Sequence, residues 1–206
     1  MYYTVTRETT AETTIKHSKF IAFCASVADA DQAEAYVKAI KKRFSDATHA
    51  PYAYILGERG DKMRASDDGE PSGTSGAPIL DAIKGEGLTF TAVVVVRYFG
   101  GIKLGTGGLT HAYGDSALTA LRMNGRAKYV KCAVFSLKCD YNAVSPVQNK
   151  VYALGGDVIE TLYDDGATLT VAVPLESESA FCSAVADITS GKAVLSRLDE
   201  RFCPVK

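Results

Sequence analysis

The sequence contains no run of about eighteen apolar residues, so no membrane-spanning helix is expected. Its opening residues, "MYYTVTRETT", lack the basic-then-apolar order of a secretory signal, and a cytoplasmic protein is expected. Cys24, Cys132, Cys139, Cys182 and Cys203 are odd in number and include no CxxC spacing. They point to neither a disulfide framework nor a zinc knuckle, and the expectation is buried, reduced thiols. His17, His49 and His111 form no HxH or HxxxH pair, which argues against a transition-metal site. The common nucleotide and nucleophile signatures are missing too. No Lys-Ser/Thr follows a glycine at Walker spacing, and Thr110 stands where a third dinucleotide-fold glycine is wanted. Gly73-Thr74-Ser75-Gly76 has the wrong spacing for a nucleophile elbow. No cofactor is therefore expected, apart from the Mg²⁺ that an acidic loop leaves open.

What the chain does have is glycine gathered in one place. The stretch "VVVVRYFGGIKLGTGGLTHAYGDSA" carries Gly100, Gly101, Gly105, Gly107 and Gly108 within nine positions, although glycine weakens strands and helices alike. Charge is also unevenly spread. The net charge of −1 over 206 residues divides into six basic against ten acidic side chains in residues 132–206, and a balance near +3 in the first 131. Between Leu88 and Lys138 there are seven basic residues, and Asp115 is the only acid. The glycine stretch lies in this basic part, where a solvated surface and an anion-binding surface are equal expectations.

Periodicity divides the chain into two domains, residues 1–131 and 132–206. In the second, "KCAVFSLKC" reads as a strand, and Ser145-Pro146 as the cap and first turn of a helix with Val147, Val151 and Leu154 on one face. "DVIETLY" and "ATLTVAVP" flank the turn Asp164-Asp165-Gly166, and a helix through Phe181, Val185 and Ile188 leads to the strand "AVLSRLDERF". The order β-α-β-β-α-β is ferredoxin-like. In the first domain "TTIKHSKFIAFCASV" reads as one strand with a kink or bulge, and Asp29 with Gln32 as a capping box before a helix. "ATHAPYAYILG" is a second strand, and a polar loop then leads to a short helix entered through Pro78. "TFTAVVVVRYF" is the next strand, followed by the glycine loop and a helix from Leu109 to Asn124-Gly125. The whole is an α+β fold.

A strand, a glycine-rich turn and a helix N-terminus make either an anion cradle, where unpaired N–H groups carry partial positive charge and glycine lets a phosphate approach, or a tight connection packed against another backbone. Lys103 adds a full charge, and His111, placed by this reading in the first helical turn off the core face, could donate to the same anion or pair with Asp115. In the other polar loop Asp67, Asp68 and Glu70 could hold Mg²⁺ or act as an acid/base pair, bond nearby backbone as a turn, or neutralise Arg97 or Lys103 across a shared cleft.

Four segments, "HSKFIAF", "ATHAPYAYILG", "SDDGEPSGTSGAPIL" and "VVVVRYFGGIKLGTGGLTHAYG", together resemble the YigZ/IMPACT family in its bacterial two-domain form, over about Ser18 to Ala117. The resemblance implies an N-terminal β-α domain like the second domain of small-subunit ribosomal protein five. It implies a C-terminal domain like the last ferredoxin-like domain of elongation factor G. Eukaryotic relatives regulate translation under amino-acid starvation through a protein scaffold, so a connection to translation regulation is implied here. Carried over by position, the motif residues include His49, Asp67, Asp68, Gly69, Glu70, Arg97, Gly100, Gly101, Lys103, Gly105, Gly107, Gly108 and Tyr113, while His111 stands where the family commonly has Arg. Losing that arginine removes a permanent charge from the anion site.

The leading expectation is a non-enzymatic protein whose first domain binds RNA, the ribosome or an anionic ligand, with a protein of the translation apparatus as a further partner. "ATLTVAVP" lacks the stacking aromatics of an RNA-reading sheet, so nucleic-acid binding is assigned to the first domain. The alternatives are an enzyme acting on a phosphorylated small molecule and a protein-interaction module using the acidic second domain.

Overall fold

The valine run sets the architecture of the first half. In the computed structural model, which describes residues 1–205, these residues form a strand whose side chains alternate between two buried faces. The chain divides into two units, Tyr2–Ala127 and the residues from 128 onward. Strands β1 (Tyr2–Val5), β2 (Thr9–Ile15), β3 (Ser18–Ser26), β4 (Tyr52–Leu56), β5 (Lys62–Ser66) and β6 (Thr91–Tyr98) belong to the first unit. Its helices are α1 (Ala30–Arg43), α2 (Gly76–Gly85) and α3 (Gly105–Arg122). The sheet order is β2-β3-β6-β4-β5, antiparallel throughout. Val93 and Val95 pack with Ile79 and Ile83 of α2 and Leu109, Tyr113 and Ala117 of α3. Ala92, Val94 and Val96 pack on the opposite face with Ala33, Val37 and Ile40 of α1. A sheet covered on both faces needs a continuous apolar strand at its centre, which is why the run does not alternate with polar residues.

The first unit departs from the sequence reading in several places. The stretch from Thr9 to Ser26 is not one kinked strand but a hairpin, β2 and β3 paired from Ile15↔Ser18 outward. Its turn holds Lys16 and His17 at φ 46° and 64°, a left-handed pair without glycine and so without the usual turn signature. Strand β5 is an additional edge strand, exposed along most of its length, whose alternation is limited to Met63 and Ala65. Helix α3 begins at Gly105 rather than Leu109, so His111 lies in its second turn. Just beyond α3, Asn124 is buried. Its carbonyl accepts from the amides of Thr6 (3.0 Å) and Arg7 (3.1 Å), tying the segment after β1 to the helix end.

In the second unit, β7 (Arg126–Cys139), α4 (Tyr141–Ala153), β8 (Asp157–Tyr163), β9 (Ala167–Pro174), α5 (Glu178–Thr189) and β10 (Val194–Pro204) follow in β-α-β-β-α-β order. Strand β7 lies between β10 and β9, with β8 outside β9, all antiparallel. Helices α4 and α5 cover one face through Val147, Val151, Phe181 and Val185. Helix α4 starts at Tyr141, four residues before Ser145, so Pro146 sits inside it and not in its first turn. The thiols of Cys24, Cys132 and Cys139 are buried, whereas Cys182 and Cys203 are half-buried.

Candidate functional site

Arg97 ends the valine strand on the face shared with α2 and α3, and there its charge cannot reach water. Its side chain is 7% exposed and donates to Glu70 Oε1 at 2.6 Å, while the Glu70 side chain is 3% exposed. Tyr113 of α3 donates to the same carboxylate oxygen at 2.7 Å. Burial pushes the Tyr113 phenol far up, with the Glu70 hydrogen bond acting the same way, so it stays a neutral donor. The guanidinium lies between two rings, 5.6 Å from the centroid of Phe20 and 5.4 Å from that of Phe99. Its Nε–H has no hydrogen-bond partner among the described residues. An unsatisfied buried donor costs on the order of 1–3 kcal/mol.

Each acid of the polar loop before α2 has its own partner. Asp67 accepts from the backbone amides of Gly73 (2.8 Å), Ser75 (3.1 Å) and Gly76 (2.8 Å) and from the Ser75 hydroxyl (2.8 Å). It therefore caps α2 from eight residues upstream. Burial pushes its carboxyl up, but the hydrogen bonds from Gly73, Gly76 and Ser75 outweigh this and hold it below the usual carboxylate range. Asp68, at φ 45°, accepts from Lys41 Nζ (2.5 Å) and the Ala50 amide (2.8 Å). Its carbonyl accepts from His49 at 2.9 Å; since a carbonyl only accepts, His49 Nδ1 carries the hydrogen. Glu70 is the third acid, held by Arg97. Of the three roles open to this loop, turn formation falls to Asp67 and Asp68 and neutralisation of Arg97 to Glu70. Among the described residues no group of three His, Cys, Asp or Glu gathers as a metal set.

The glycines serve different ends. At Gly100 an added Cβ would lie 2.0 Å from the His17 carbonyl carbon, so the loop rests directly on the β2–β3 turn; its amide donates to Ser18 Oγ at 3.2 Å. Gly105 has φ 75° after Leu104 in the right-handed region, a change of sign that turns successive N–H groups to one side. Gly107 has open space around its Cβ position and no left-handed φ. Gly101 is exposed, and Gly108 abuts Leu104 in the first turn of α3.

The N-terminus of α3, which no side chain caps, opens on a cleft of about 470 Å³. The cleft is lined by Lys103, Gly105 and Thr106, by Arg97, Glu70 and His49, and by the apolar Phe99, Pro71, Leu104 and Leu109. Phe99 is 47% exposed. Among the described residues no carboxylate lies within ion-pair distance of Lys103, as holds also for surface cations such as Lys38, Lys42 and Lys62, whereas Arg97 on the same cleft is paired. The structure thus brings together His49, Glu70, Arg97, Lys103 and Gly105. Asp67 and Asp68 serve the neighbouring loop, and His111 stands on the exposed side of α3, outside the cleft walls. Pro71, Phe99 and Leu104 belong to the family motif but carry no ligand role in the sequence, and Leu109 reads as core; the fold brings all four to the cleft. A second cleft of about 460 Å³ in the other unit sets Lys138 and Lys192 against Asp140 and Asp165 and contains no orphaned donor.

The Impact N-terminal domain family model matches residues 16–121, which include every residue of this cleft. A domain of unknown function (DUF1949) matches residues 137–192. IMPACT family member YigZ of Escherichia coli is 34% identical over 188 residues, covering 90% of this chain and 92% of the relative. The chain belongs to the IMPACT family. Family member YvyE of Bacillus subtilis is also 34% identical, over 93% of this chain and 88% of its own length. A Thermus thermophilus member reaches 37% over 86% of this chain and 97% of that protein. Among solved structures, one described as "Crystal structure of an hypothetical protein" is similar with a TM-score of 0.61 and 32% identity, covering 96% of this chain and 97% of the other. Among the described residues no helix is long and apolar enough to cross a membrane.

Proposed function

We propose that this IMPACT family member is a non-enzymatic binding protein connected with translation, whose first unit contacts RNA, in solution or on the ribosome, through phosphate. The observation that carries this reading is the uncapped N-terminus of α3 beside Lys103, a lysine without an acidic partner on the cleft wall. Backbone amides and an unpaired cation are the groups that RNA phosphates displace counterions to reach. Binding is favoured over catalysis because Asp67, Asp68 and Glu70 are each committed to internal partners, which leaves no carboxylate pair for proton transfer. The connection with translation follows the direction of the family resemblance. The test is binding of the full chain to short single-stranded RNA at low and moderate salt. Affinity that falls steeply as salt rises is the expected result; affinity that is absent, or indifferent to salt, rejects the reading.

A further inference from the structure

A surface that only attracts phosphates needs no concavity, yet the α3 N-terminus opens into a cleft of about 470 Å³, within the range of small-ligand pockets. Two kinds of wall meet there. One is polar and cationic: Lys103 and the start of α3 at Gly105 and Thr106. The other is flat and apolar, formed by Phe99, Pro71 and Leu104. Beneath them Arg97, 5% exposed and on the cleft wall, keeps an Nε–H without an acceptor. Such a site suits a ligand with an anionic end and a flat ring system.

We propose that this cleft holds a single nucleotide bearing a terminal phosphate monoester, its phosphate on the α3 amides and Lys103 and its base against Phe99. This rests on the phosphate-binding reading above and narrows it, because a site of this size takes one nucleotide and not a length of strand. The monoester comes from a free nucleoside monophosphate or from the 5′ end of an RNA, and the two sources present the same group to the helix. The phosphate meets aligned N–H groups, and the base gains stacking area on an aromatic ring that is otherwise half in water.

The test is calorimetric titration of the full chain with AMP, adenosine, inorganic phosphate, and a short oligoribonucleotide with either a 5′-phosphate or a 5′-hydroxyl. AMP or the 5′-phosphorylated strand is expected to bind about tenfold or more tightly than adenosine, phosphate or the 5′-hydroxyl strand. AMP alone in that group assigns the free nucleotide as source; the phosphorylated strand alone assigns the RNA end. Lys103→Gln is expected to weaken the favoured ligand about tenfold, and Phe99→Ala to weaken it while leaving inorganic phosphate unchanged, both at an unaltered melting temperature. Equal binding of the 5′-hydroxyl and 5′-phosphate strands, with no AMP binding, overturns this inference and leaves general RNA contact standing. AMP binding without salt-dependent RNA binding does the reverse. Indifference of every ligand to Lys103→Gln overturns the cleft as the site.

Discussion

The first unit has two helix N-termini on the same side of its sheet, and they end in opposite ways. At α2 the amides of Ser75 and Gly76 point to the carboxylate of Asp67, an anion supplied by the chain itself. At α3 no side chain caps the helix, and the residue beside it is the cation Lys103. Both ends have the same electrostatic demand. One is met internally and makes the acidic loop rigid; the other is left open on a cleft, and that is the end suited to a ligand. Glu70 joins the two, since it belongs to the loop before α2 but binds Arg97 and the α3 residue Tyr113.

The comparison breaks most severely at Glu70. Glu70→Gln leaves Arg97 charged and unpaired in a dry site, and a loss of about 3–5 kcal/mol in urea-unfolding free energy is expected. A loss within experimental error would mean that the ion pair does not hold the two helix ends together. Next in size is Asp67→Ala, which strips the cap from α2 and is expected to lower stability by about 2 kcal/mol. Its pH dependence has a definite sign. The Asp67 carboxyl is held below its ordinary value of 3.8, so its contribution is complete above that value and is lost as pH falls through the lower, folded one. The gap between the parent and Asp67→Asn should therefore close as the medium is acidified below about pH 4, and a gap that stays constant would reject the assignment. The smallest effects separate two neighbouring glycines of α3. Gly105→Ala forces a side chain into a left-handed φ and should cost about 1 kcal/mol. Gly107→Ala, in open space with ordinary helical backbone, should leave the melting temperature unchanged or raise it, while weakening any anion held at the helix end. Equal destabilisation by both would show that Gly107 has a structural role after all.

Much of this frame was legible beforehand because it follows from burial. The valine run, the capping pair Asp29 and Gln32, and the β-α-β-β-α-β order of the second half are all patterns that local sequence carries. Neutralisation of Arg97 by the acidic loop was one of three open roles, and neither residue's neighbours distinguish them; only the fold places Glu70 and Arg97, 27 positions apart, at 2.6 Å. The hairpin turn at Lys16-His17 escaped notice because it uses left-handed backbone without glycine, asparagine or aspartate. Strand β5 did so because its alternation spans only five residues with two apolar side chains, Met63 and Ala65, on an exposed edge. Pro146 drew the start of α4 to the wrong place, since proline usually marks a first turn and here lies within the helix. The cleft itself is built from side chains of four separate segments, and no spacing rule joins His49, Pro71, Phe99 and Leu109.

Cys24, closed inside β3 where burial pushes its thiol up to about 12, gives the protein an internal clock. A thiol in that state is inert to an alkylating reagent until the sheet opens around it. Cys182 and Cys203, half-buried in the other unit, are within easier reach. Labelling followed by mass spectrometry would then time the opening of the cleft-bearing unit apart from its neighbour, with a single reagent and no substitution.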